Sequence, residues 1–109
     1  VTIGVLTFDV HLPQARSLKD KRQVIRSVKE RLRSRHNVSV SEIGDDADLW
    51  QRASIAVVSV ASGHDPLERL FEAVIREVAS QIPGDLVETG RDFLDGADGG
   101  PAGWEEESR

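Results

Sequence analysis

A chain of 109 residues, 39% hydrophobic and 30% charged, has the size and balance of one globular domain that can build its core without staples. It contains no cysteine, which excludes disulfides, thiolate metal sites and thiol nucleophiles, and its longest apolar run is too short to span a membrane. The net charge of −5 conceals a division: residues 16–35 carry nine basic and two acidic groups, while the other 89 carry five basic and seventeen acidic, so an acidic chain holds a local positive field.

The N-terminal residues enter directly into alternation, without the charged and apolar regions of a signal peptide, and a cytoplasmic location is the expectation. In "TIGVLTFDVHL" (Thr2 to Leu12), Ile3, Val5 and Thr7 fall on one face and Leu6, Phe8 and Val10 on the other, which predicts a strand apolar on both sides. Pro13 ends it. Ser17 as cap and Asp20 at the third helical position predict a helix from Leu18 to Arg35 or His36, with Leu18, Val24, Ile25, Val28 and Leu32 on its inner side. "NVSVSEI" and "LWQRASIAVVSVAS" predict a hairpin of two strands turning around "GDDAD". Asp65 as cap and Pro66 at the first position predict a second helix that buries Leu67, Leu70, Phe71, Val74, Val78 and Ile82 and stops at "IPGD". "DLVETGRDFL" predicts a polar edge strand. Residues 1–95 form the expected domain, and residues 96–109, rich in Gly and acid, read as a disordered tail.

The order βαββαβ predicts an α+β, ferredoxin-like fold: an antiparallel sheet with both helices on one face and the first and third strands central. The uncovered face then exposes apolar side chains from both central strands, which points to a homodimer or higher oligomer.

On the first helix Lys19, Arg22, Arg26, Lys29 and Arg33 follow 3,4,3,4 spacing and cover about 80° of the circumference. Such a stripe suits phosphate contacts along an RNA backbone without sequence readout. The bland alternative is a solvated face, the ordinary fate of a charge run. Lys21 interrupts the apolar side and is expected to lay its stem on the sheet edge and turn its ammonium outward. Base stacking on the sheet is not expected, because "ASIAVVSV" has no aromatic residue. Trp50 and Arg52 project to one face two residues apart, where a guanidinium can stack on the indole. Asp9, His11 and Ser17 lack the Gly-rich elbow of a nucleophile site, and His36 and His64 lack metal-ligand spacing. No phosphate-binding Gly loop is present. No catalytic residue, cofactor or metal is therefore predicted.

"IGVLTFDVHLP", "SLKDKRQVIRSVKERLRSRHNVSVSEI" and "LWQRASIAVVSV" resemble the bacterial YlxP-like family, a small family of unknown function, over about residues 2–80. The motif residues are Ser17, Leu18, Lys19, Asp20, Lys21 and Arg22, joined by Trp50 and Arg52 in "W-x-R-A". Where the family has Phe before "NVSV", this chain has His36. The resemblance implies a ferredoxin-like fold and, from the translation factors often encoded beside its members, a role near RNA or the ribosomal small subunit. The expected function is a cytoplasmic, non-enzymatic binding protein that contacts RNA or the ribosome through the basic helix. The alternative is an oligomeric scaffold or regulatory domain that takes a protein or small ligand on the open sheet face. No membrane partner is expected, and Glu105, Glu106 and Glu107 of the tail are candidate competitors for the basic stripe.

Overall fold

The alternation at the start of the chain becomes β1 (Thr2–His11), in which Leu6, Phe8 and Val10 are buried and Ile3, Val5 and Thr7 are half-buried on the opposite face. The computed structural model, which describes residues 1–44 and 49–96, continues with α1 (Leu18–Arg35), β2 (Ser39–Ile43), β3 (Arg52–Ala61), α2 (His64–Gln81) and β4 (Leu86–Asp95). The strands form one antiparallel sheet in the order β2-β3-β1-β4, so the two apolar strands are central and the polar β4 lies at an edge. This is the expected ferredoxin-like α+β fold. The "DDAD" part of the hairpin turn and the tail from residue 97 lie outside the described residues.

Both helices cover the same face. Leu6, Phe8 and Val10 of β1 and Ala53, Ile55 and Val57 of β3 meet Ile25, Val28 and Leu32 of α1 and Phe71, Val74 and Val78 of α2. Gly4 lies in the same inward row of β1. A Cβ there would lie 2.8 Å from the Phe71 ring, so the missing side chain is what lets that ring reach the sheet.

α1 starts as its sequence dictates. The Ser17 hydroxyl accepts from the Asp20 N–H at 3.1 Å, and the Asp20 carboxylate accepts from the Arg16 N–H at 2.9 Å, a close relative of the capping box. α2 differs from expectation. It begins at His64, with Gly63 as the cap residue and no side-chain cap bond, so Asp65 and Pro66 sit inside the first turn. An acid in the first turn still interacts favourably with the helix dipole, which is why the local signal was strong although its position was shifted.

Candidate functional site

The basic stripe is carried by the outer side of α1. Lys19, Arg22, Arg26 and Arg33 are exposed and Lys29 is half-buried. Arg22, Arg26, Lys29 and Arg33, with Ile25, Glu30 and Glu42, line a shallow depression of about 370 Å³ between α1 and β2. Among the described residues none of these five cations forms an ion pair. Arg33 is distinct within the row, because its Nη2 donates to the Val40 carbonyl at 3.0 Å. It therefore has a folding role that spacing alone did not reveal: it occupies a carbonyl at an edge strand and holds the end of α1 to β2.

Lys21 corrects a second expectation. Its ammonium does not turn outward; the residue is 1% exposed, and Nζ donates to the Leu49 carbonyl at 2.7 Å and lies 2.9 Å from Glu42 Oε2. Glu42 occupies the inward row of β2 beside Val40, so two opposite charges placed in two apolar rows meet at the margin of the core. The pair fastens α1 to β2 and to the segment that leads into β3.

That segment forms a second concavity, of about 510 Å³, lined by His11, Leu49, Trp50, Gln51 and Arg52. Trp50 and Leu49 are about half exposed, at 50% and 48%. Arg52 is the cross-strand partner of His11, which places both on the open face of the sheet. Trp50 and Arg52 thus share one cavity wall rather than stacking on each other. The cation–π contact found among the described residues is that of Arg91 over the Phe71 ring, 5.9 Å from its centroid.

The other polar residues singled out in the sequence lie at separate places in the fold. Asp9 accepts from the Ser54 hydroxyl at 2.7 Å, His36 lies 3.5 Å from Glu77, and His64 lies 2.6 Å from Asp95. The Asp9–Ser54 and His64–Asp95 contacts are cross-strand and interelement fastenings. Ser17 is engaged as the cap of α1.

The open face of the sheet is divided. Val60, Ile3 and Leu94 form one cross-strand row and Val58 and Val5 the next, with Val58, Val60 and Leu94 exposed. Toward the other end the rows become polar, with Ser54 beside Asp9 and Arg52 beside His11. No helix among the described residues is long and apolar enough to cross a membrane.

A family model described as a protein of unknown function, DUF503, matches residues 3–91. The uncharacterized protein YlxP of Bacillus subtilis (strain 168) is 35% identical over 78 residues, which cover 72% of this chain and 84% of that protein. Among solved structures, the de novo designed protein Foldit4 superposes with a TM-score of 0.47 at 13% identity, over 87% of this chain and 97% of that one. The de novo designed protein Ferredog-Diesel superposes with a TM-score of 0.43 at 14% identity, over 83% and 85%.

Proposed function

The chain belongs to the DUF503 family of proteins of unknown function, and from that premise we propose that it is a binding protein, without catalytic activity of its own, that grips the phosphate backbone of RNA through α1. One observation carries this reading: Arg22, Arg26, Lys29 and Arg33 line a single depression, and none of them is neutralised by an ion pair among the described residues. Like charges at i,i+4 spacing oppose helix formation by a few tenths of a kcal/mol per pair, about 0.2–0.5. A polyanion relieves that repulsion. Glu30 and Glu42 in the same lining restrict where phosphates can sit, which favours a shaped RNA surface, such as a ribosomal one, over indiscriminate adhesion.

The test replaces Arg22, Arg26 and Lys29 by Glu and spares Arg33, whose bond to Val40 is structural. RNA retention is expected to disappear while the melting temperature stays unchanged. For the parent, log affinity should fall against log salt with a slope of roughly two, from three phosphates at about 0.7 each. Retention that survives the triple reversal would refute the proposal.

A second reading is favoured by the exposed rows Val60–Ile3–Leu94 and Val58–Val5, which suit self-association through the open face. Val58→Lys with Val60→Lys should lower the sedimentation coefficient if the protein is a homodimer there. An unchanged coefficient discards that interface.

A further inference from the structure

We propose that the concavity lined by His11, Trp50 and Arg52 is a nucleotide site, with the base against the Trp50 indole and the phosphate facing Arg52 and His11. The inference begins with the rim. The Lys21 ammonium holds the Leu49 carbonyl at 2.7 Å. On the other side of Trp50, the Gln51 carbonyl accepts from the Leu12 N–H at 2.8 Å, and Gln51 Nε2 donates to the carbonyls of Pro13 at 3.2 Å and Ala15 at 3.4 Å. Both neighbours of Trp50 are thus fixed to the body of the fold, while the indole itself is left half exposed. A large aromatic surface held in place and left uncovered is costly in water, and a flat partner is what it can bury without rearrangement.

The charge of the lining selects the partner. The described ionisable groups that line this cavity are His11 and Arg52, which suit an anion. Arg52 has no ion pair among the described residues. Asp9 and Asp85 line the adjacent depression, which shares His11 and Arg52, so the anion is confined to the Trp50 side. A volume of about 510 Å³ lies within the range usual for small-molecule sites, roughly 300–1,000 Å³, and has room for one nucleotide. A planar ring joined to an anion, as in a phosphorylated nucleoside or one nucleotide of an RNA strand, satisfies both features. Stacking on an indole tolerates any base, in keeping with the lack of aromatic readout on the sheet.

This deepens the RNA reading, since Lys21 ties α1 to the rim and a strand on the α1 stripe would pass near it, but it is tested apart from that reading. Full-length protein carrying Trp104→Phe leaves Trp50 as the one tryptophan. Its fluorescence is expected to be quenched saturably by adenosine 5′-monophosphate, with about tenfold weaker binding after Arg52→Ala and no response to ribose 5-phosphate. No quenching into the millimolar range, or an equal response to ribose 5-phosphate, overturns the site. Quenching that persists in the Arg22, Arg26, Lys29 to Glu variant, whatever that variant does to RNA retention, separates this site from the stripe and supports it. Quenching lost in that variant overturns the site as an independent one. In RNA retention, Trp50→Phe should keep most of the affinity and Trp50→Ala lose about tenfold or more. Equal loss in both assigns Trp50 a packing role only.

Discussion

α1 and α2 each contain 18 residues and bury side chains at the same 4,3,4 spacing: Lys21, Ile25, Val28 and Leu32 in one, Leu67, Phe71, Val74 and Val78 in the other. They differ in the polarity of one buried position and in the state of their charges. Lys21 stands where α2 has Leu67. The cations of the α1 stripe have no ion-pair partner among the described residues, whereas Glu68 and Glu72 of α2 both meet Arg91, and Glu77 meets Arg35. Three acids of α2 therefore serve the fold, whereas of the α1 cations Lys21 and Arg35 are paired and those of the stripe are left without an ion pair among the described residues. A helix that spent its cations on internal carboxylates would have little left for an external anion.

That contrast can be broken most sharply at Lys21. Lys21→Ala leaves Glu42 and the Leu49 carbonyl without their partner and is expected to cost about 2–4 kcal/mol in urea unfolding, toward the lower side because the Glu42 side chain keeps 27% exposure. Lys21→Met with Glu42→Leu, which makes the inward row of α1 resemble that of α2, should recover most of the loss. A loss below about 1 kcal/mol for the single change would mean that the pair does not hold α1.

On the α2 side, Gly4→Ala forces a methyl group to within 2.8 Å of the Phe71 ring and should cost about 1–3 kcal/mol by the same measurement. Arg91→Ala removes the cation that Glu88, Glu72 and Glu68 surround at 2.7, 2.9 and 3.0 Å. Those carboxylates, Glu88 foremost, push the guanidinium still further above its ordinary range. Because the three acids are well exposed, the expected cost is only about 1–2 kcal/mol, and it should shrink in high salt.

The caps give a smaller effect. Ser17→Ala should cost about 1 kcal/mol, while Gly63→Ser, which adds a side chain where nothing lies within 4 Å, should gain a few tenths, about 0.3 kcal/mol. The smallest effect concerns β4. The Thr2 hydroxyl and then the His64 ring hold the Asp95 carboxyl below its usual range. A depressed folded pKa means that this fastening is intact above the ordinary aspartate pKa, about 3.9, and is lost as pH falls through the folded value. Amide exchange at the end of β4 should therefore quicken relative to β3 only in acid.

Most of the fold was legible because it rests on periodicities that the chain repeats: period two in β1 and β3, and the 3,4 spacing of apolar residues in α1 and α2. The start of α2 was misplaced, because Asp65 and Pro66 are as acceptable inside the first turn as at its margin and local chemistry does not choose between them. The stripe was legible as a row, but the sequence held no sign that Arg33 would reach the Val40 carbonyl. The Lys21–Glu42 pair did leave a signal, a charge in each of two apolar rows, although nothing local said that the rows would adjoin. The concavity was half visible, since alternation put Trp50 and Arg52 on one side.

By itself the sequence determined the elements, their order, the faces they bury and the sign of the charge on α1, because each follows from contacts a few residues apart. Only the tertiary structure decided which charges are neutralised. It brought Glu42 to Lys21 and Arg91 to the acids of α2, and it left Arg22, Arg26 and Lys29 without an ion pair among the described residues. The physical reason is range: an ion pair depends on distance in space, and residues far apart in the chain acquire that distance only when the sheet and helices close.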